Sequence, residues 1–339
     1  MSQQDQENAG AAKTRGPAED HVVLYVAGSG RSGSTLLDRM LGQVPGVTAI
    51  GELATVWRPG ELDKLVCGCG LAVRECPFWS AVSERAYGGW DSQDFRDAVS
   101  LHDLIRHRYL PLSVAPGLSP EYRRRAERFD ELVRRTYAAI AEVAGNRVVV
   151  DSSKEVAFAY LLARAIGRKL RLLHLVRHGN GVAHSWTKAV AKPEVGNPDA
   201  QLPRYHPWRM ATRWVGYNSL VDLLRLRGVA TLPLRYESVV EQPQQQITRV
   251  LRHAGIDVRP EHLAFLDGST AHLEPTHTVA GNPMRFRQGD VRLRLDEDWR
   301  TGMAPRDRIV VGALSSPLLL RFGYVGRRRR DRGPVQGRS

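Results

Sequence analysis

The chain has 339 residues, 42% of them apolar and 25% charged, which suits a sizeable folded core and excludes a low-complexity or fibrous protein. Forty-nine Lys and Arg against 36 Asp and Glu leave a formal charge of +13, so the expected partners are anionic: nucleotides, sulfated or phosphorylated metabolites, nucleic acid or a lipid surface. No window reaches the roughly 20 apolar residues of a membrane span, no secretory signal is visible, and three cysteines do not make a disulfide scaffold. A cytoplasmic protein is the default expectation.

Residues 1–20 are polar and read as a disordered lead-in, with a single domain expected over 21–325 and a basic, disordered tail over 326–339. Val22–Ala27 is a continuous apolar run of the kind buried in a parallel sheet. Ser34–Gln43 follows as a helix with Leu36, Leu37, Met40 and Leu41 on one side. Residues 52–147 break the pattern and read as a mostly helical insertion (about 55–145), with Glu121–Ala144 its best helix. Val148–Val150 is the next strand, ending at Asp151-Ser-Ser-Lys154, with a helix behind it. Leu170–Val176 is a third strand, opening into a helix over Gly179–Lys188. Residues 191–228 include a long helix carrying Trp208 and Trp214, and Thr231–Tyr236 leads into a last helix around Gln244–Ala254. Strands alternating with helices predict an α/β fold, a parallel sheet flanked by helices in three layers. Ligands gather at the carboxyl ends of such strands, so the loops at Gly28–Thr35, Asp151–Lys154, Arg177–Ser185 and Tyr236–Glu237 are expected on one edge.

The first of these loops is "GSGRSGST". A glycine loop entering a helix offers unpaired N–H groups and the positive end of the helix dipole to an anion. Gly28, Gly30 and Gly33 permit close approach, while Ser32, Ser34 and Thr35 add hydroxyls. A nucleoside triphosphatase places a lysine beside the final Ser or Thr of this loop; here there is none, and the cation, Arg31, comes earlier. Mg²⁺ is therefore not expected.

These segments together resemble the sulfotransferases that use 3′-phosphoadenylyl sulfate (PAPS). "GSGRSGSTLLDRML" is similar to their 5′-phosphosulfate loop. In "LVRHGNGVAHSW", Arg177 and Ser185 have the spacing of their 3′-phosphate motif, although a helix cap and a surface pair would share that pattern. "LPLRYESVVEQP", with Tyr236, resembles the family's Tyr-Glu strand end, and "GNPMRF", with Arg285, the C-terminal cofactor segment of bacterial members. The resemblance runs over about 22–323 and implies a P-loop-like fold. PAPS is then the co-substrate, adenosine 3′,5′-bisphosphate the product, and no metal is expected. The implied donor site comprises Gly30, Arg31, Ser32, Gly33, Ser34, Thr35, Arg177, Ser185, Tyr236 and Arg285. Tyr236 reads either as a neighbour of the adenine or as a core residue, Arg285 as a second arm to the 3′-phosphate, and His277 as structural.

Transfer to a hydroxyl needs a base for the acceptor proton and cations for the leaving oxygen. Glu52 in "IGEL" is the leading base by resemblance to tyrosylprotein and bacterial sulfotransferases, although Leu53 stands where the tyrosylprotein pattern has a second glutamate. Lys154 in "VVDSSK" resembles the lysine that contacts the leaving group, with Arg31 serving the same charge. Cytosolic sulfotransferases use histidine, which makes His102 or His107 the alternative base. Trp214 and Asn218, a helical turn apart, either pack on the donor base or belong to the core. Cys67, Cys69 and Cys76 suggest a metal knuckle, but a structural zinc wants four ligands. Nothing positions His102 as the fourth, so a local disulfide or reduced thiols are the expectation.

The implied acceptor is a hydroxyl-bearing small molecule, glycan or glycolipid, and Arg327–Arg330 suggests peripheral membrane contact. Two alternatives stay open, a P-loop kinase-like phosphotransferase and a basic nucleic-acid-binding module. The basic clusters lack the interleaved aromatic residues of a stacking surface, so no specific nucleic acid is expected.

Overall fold

A parallel sheet with helices on both faces is what the alternating apolar runs build. The computed structural model describes Gly16 and residues 20–324 apart from Pro198. The calls on the lead-in at 1–20 therefore fall almost wholly outside the described residues, and that on the tail at 326–339 entirely so.

Five strands form the main sheet: β1 (Val22–Ala27), β2 (Val47–Gly51), β3 (Val148–Lys154), β4 (Leu170–Val176) and β5 (Thr231–Arg235), in the order β2-β3-β1-β4-β5 and all parallel. β1 lies at the centre, buried on both sides, which is why its sequence is apolar throughout rather than alternating. Its odd residues Val23, Tyr25 and Ala27 pack into one core and Leu24 and Val26 into the other.

The face behind Leu24 and Val26 is covered by three helices, α1 (Ser34–Leu41), α9 (Tyr236–Glu241) and α10 (Pro243–Ala254), through Leu37, Met40, Val240 and Ile247. The opposite face takes α5 (Pro120–Ala144) and α6 (Val156–Ala165), where Phe158 meets Tyr25, Trp57 and Phe129 with ring centroids 5.9, 5.7 and 6.5 Å away. The insertion between β2 and β3 is helical as expected: α2 (Pro77–Tyr87), α3 (Gln93–Leu101), α4 (Leu110–Val114) and α5. Arg128 and Arg135 of α5 bridge to Asp94 of α3 at 2.5 and 2.6 Å, but these side chains are about one-third exposed and contribute little.

Three further helices follow β4 and close the sheet's far end: α7 (Gly179–Ser185), α8 (Pro207–Leu226) and, near the end of the described chain, α12 (Pro305–Arg321), preceded by the short α11 (Trp299–Gly302). A small antiparallel sheet of β6 (Leu266–Asp267), β7 (Thr270–Leu273) and β8 (Gly289–Arg292) flanks α1. No helix among the described residues is long and apolar enough to cross a membrane.

The strands Val22–Ala27 and Leu170–Val176 fall where the sequence predicts them, and β3 runs four residues beyond the predicted Val150 to reach Lys154. Neither β2, the small sheet nor α12 is foreseen by the sequence pattern.

Candidate active site

The glycine loop between β1 and α1 is shaped by close approaches. Gly28 has φ +140°, and a Cβ there would lie 2.4 Å from the Leu175 carbonyl oxygen. Gly33, at φ +89°, caps α1; a Cβ would meet the Tyr236 ring at 2.4 Å. Position 33 therefore has no room for a side chain. The first N–H groups of α1 have no partner within the helix and face the loop.

Arg31 takes a left-handed conformation, φ 68°, and packs its guanidinium over the Trp186 ring at 5.0 Å. Its Nε and Nη2, and Ser32 Oγ, are buried and carry no hydrogen-bond partner among the described residues. Burial pushes the Arg31 guanidinium below its ordinary value, while the Glu52 charge pulls it back up. Unsatisfied buried donors of this kind are costly unless a ligand meets them.

The loop lines a cavity of about 760 Å³ at the carboxyl ends of the strands, as the topology requires. Gly30, Arg31, Gly33, Ser34, Thr35, Glu52, Lys154, Arg177, Ser185, Tyr236 and Arg285 all border it; Ser32 is buried beneath. Eleven Lys or Arg face it against five Asp or Glu. Three non-glycine residues among those described have left-handed φ, namely Arg31, Lys154 (φ 63°) and Ala280 (φ 53°), and all three line this cavity. Such conformations cost about 1–3 kcal/mol each and gather where a site imposes them.

At one end of the cavity β2 and β3, neighbours in the sheet, deliver Glu52 and Lys154. Lys154 Nζ lies 2.5 Å from Glu52 Oε1 and donates also to the Ser152 carbonyl at 2.9 Å. The Glu52 backbone is fixed by its N–H to the Val279 carbonyl, 2.8 Å away. Thr35 Oγ1 accepts from the Asn282 N–H at 3.4 Å, closing this end with the Gly281–Arg285 segment.

At the other end stands Arg177, the residue after β4. It is 5% exposed and lies over the Tyr236 ring at 4.8 Å. Nη1 donates to the Arg31 carbonyl at 3.2 Å, tying the two arginine-bearing segments together. Nη2 donates to the Asp296 carbonyl at 2.8 Å and pairs with its carboxylate at 3.0 Å. Burial would raise the Asp296 carboxyl, but Arg177 and Lys188 hold it below its ordinary value. No sequence motif pointed to Asp296; only an arginine awaiting a partner did. Ser185 ends α7 and borders the same cavity, eight residues on.

Three expectations are corrected or narrowed. Arg285 borders the cavity but is less free than an arm to the 3′-phosphate: it is 2% exposed, donates from Nη1 to the Thr278 carbonyl at 2.9 Å, and the charges acting on it are Cys67 first, then Glu52 and Asp38. Burial pushes it down to about 10. His102, the alternative base, lines a different cavity of about 400 Å³ with Asp91 and Arg106. Burial, then Arg58 and Arg106, lowers it to about 4. His107 stacks on Tyr217 at 4.8 Å, behind the wall. Trp214 and Asn218 belong to the core: Trp214 Nε1 donates to the Arg177 carbonyl at 3.1 Å, and Asn218 joins His174 at 2.8 Å. They hold the main chain of Arg177 and do not border the cavity.

The Tyr236 ring touches both Gly33 of the loop and the Arg177 guanidinium, so it packs between the two segments. On the open side, Lys192 pairs with Glu61 at 3.2 Å, drawing the segment around Lys192 over the insertion.

Solved structures similar to this chain are sulfotransferases. The sulfotransferase domain of the Synechococcus olefin synthase is 18% identical, with a TM-score of 0.44 over 88% of this chain and 95% of that one. The sulfotransferase domain of the curacin biosynthetic pathway is 17% identical, TM-score 0.44, over 88% and 97%. Sulfotransferase STF9 from Mycobacterium avium is 13% identical, TM-score 0.47, over 89% and 77%. No family model matches the chain, and no curated protein does.

Proposed function

We propose that this cavity binds PAPS and transfers its sulfuryl group to a hydroxyl of a small molecule, carbohydrate or glycolipid. The observation that carries the reading is the pairing of two anion-binding ends 146 residues apart in sequence, Arg31 in the glycine loop and Arg177 after β4, joined by a 3.2 Å hydrogen bond on one cavity wall. A donor with separate 5′-phosphosulfate and 3′-phosphate groups needs two such ends. The loop's unpartnered Arg31 nitrogens and Ser32 hydroxyl suit the first, and the Arg177 fork with Ser185 suits the second.

The chemistry follows from the Glu52–Lys154 pair. Glu52 accepts the acceptor's hydroxyl proton as its oxygen attacks sulfur. Lys154 and Arg31 stabilise the charge that develops on the oxygen of the departing nucleotide. Arg285, on the Glu52 side, adds positive potential there. A kinase reading requires a lysine directly after the last glycine of the loop, where this chain has Ser34. The nucleic-acid reading requires open basic surface, whereas eleven of the cations line a concave site.

Incubating the protein with sulfur-labelled PAPS and a metabolite extract tests the proposal. The reading expects labelled products, each heavier by one sulfuryl group, formed about 10²–10⁴-fold more slowly with Glu52→Gln. Transfer of phosphate from ATP–Mg²⁺ in the same assay would support the kinase reading instead.

A further inference from the structure

Outside the cavity, four metal-ligating side chains converge. Cys67, Cys69 and Cys76 come from the turns that open the insertion, and His277 from the segment after β7. Their sulfurs and Nδ1 all lie within 4.8 Å of one another. Cys76 Sγ is 3.3 Å and Cys67 Sγ 3.7 Å from His277 Nδ1, and the sulfurs of Cys69 and Cys76 are 3.7 Å apart. Tetrahedral zinc, with Zn–S about 2.3 Å and Zn–N about 2.0 Å, sets sulfurs ~3.8 Å from each other and ~3.5 Å from the nitrogen. These three edges lie close to those of that tetrahedron, and the other three stay within 4.8 Å. The sequence offered only three of its corners, because the fourth lies 201 residues beyond Cys76.

We propose that Cys67, Cys69, Cys76 and His277 bind one structural Zn²⁺ through three thiolates and Nδ1. The surroundings orient the ligands as a metal site requires. Phe78 stacks on the His277 ring at 4.7 Å and 7°, and Trp79 Nε1 donates to the His277 carbonyl at 2.8 Å. The Gly70 N–H closes a turn onto the Cys67 carbonyl at 2.9 Å, bringing Cys69 round beside it. Cys67 and Cys76 are fully buried. Four protein ligands leave no open position, so the ion takes no part in the chemistry.

Its role is to staple the insertion to the C-terminal segment that supports the active site. Two residues after His277, Val279 donates to the Ile50 carbonyl at 2.9 Å and accepts from Glu52 N–H at 2.8 Å. Thr278 in turn accepts from Arg285. The site thus anchors the strand that holds the general base, and His277 and the cysteines are positioning residues.

Metal analysis of the full chain, purified reduced and without chelators, tests the proposal. The expected result is about one zinc per chain, with an X-ray absorption first shell of three sulfurs and one nitrogen. Titration with a mercurial should release that zinc to a chromogenic chelator, and Cys76→Ser and His277→Ala should each lose it. If those variants do not fold, the wild-type measurements stand on their own. A reduced chain that holds no zinc, takes up neither Zn²⁺ nor Co²⁺ when either is added, and exposes three freely titrating thiols would overturn the proposal. So would a Cys69–Cys76 disulfide found by mass spectrometry in freshly isolated protein. Neither outcome bears on donor binding, which is read separately.

Discussion

Glu52 and Lys154 meet at 2.5 Å across 102 residues of sequence, and each is useful only because the other is there. Glu52→Gln should leave adenosine 3′,5′-bisphosphate binding intact while lowering kcat by about 10²–10⁴-fold, read by turnover and calorimetry on one preparation. Equal losses of binding and turnover would remove Glu52 from the base role. Arg177→Ala should weaken bisphosphate binding by roughly 10- to 100-fold, the worth of a charge-assisted fork. Asp296→Asn should act in the opposite sense, because it removes the competing carboxylate charge beside Arg177 Nη2 and leaves only the bond to the Asp296 main-chain carbonyl. Titrating both variants with the bisphosphate gives the sign directly.

Beneath the loop, buried Asp38 is raised to about 7 and buried Asp151 to about 6, both chiefly by burial. Their folded values exceed the ordinary 3.8, so the native chain keeps protons that the unfolded chain has released. Their contribution to stability is complete at low pH and is lost as pH rises through those folded values. Between about pH 4 and pH 7 these two carboxyls therefore pull the unfolding midpoint down, against buried His102 and His178, lowered to about 4, which pull it up; Asp38→Asn should remove its share of the downward pull in a thermal scan.

Phe158 of α6 links the sheet to the insertion by touching Tyr25, Trp57 and Phe129. Phe158→Ala should cost about 3–5 kcal/mol in chemical denaturation, the range for a fully buried aromatic. The elements that the sequence displays are those whose burial is extreme. β1 is apolar from end to end, and β4 is so apart from Arg171 and His174, because both faces are covered, and α5 repeats its apolar positions over 25 residues. β2 escaped because it has five residues, two of them glycine or threonine, at the edge of the sheet. The small sheet escaped because its strands are short, two to four residues each, too few for an alternation to stand out. Along the cavity, the loop, Arg177 and Lys154 were legible because each follows an apolar strand, whereas Glu52 and Ser185 were singled out only through the family resemblance. Asp296 and the metal-ligating role of His277 were not, since long-range packing brings them in from segments without periodicity. Arg285 was legible as a site residue but not in how firmly it is held, because long-range packing buries it against Thr278 and Arg39.

The +13 charge of the chain and the cation-rich cavity describe one property at two sizes. A concave, partly desolvated site focuses that field on a small anion. Bisphosphate binding should therefore weaken with added salt while remaining metal-independent, and short duplex DNA should not compete with it at physiological ionic strength.

Calorimetric titration of the wild-type chain in the presence of a chelator, with adenosine 3′,5′-bisphosphate and, in a separate Mg²⁺ buffer, with ATP–Mg²⁺, tests the account most directly. Saturable one-to-one binding of the bisphosphate without Mg²⁺, weakened by Arg177→Ala, is the predicted result. Tight binding of ATP–Mg²⁺ by a chain that ignores the bisphosphate would contradict it.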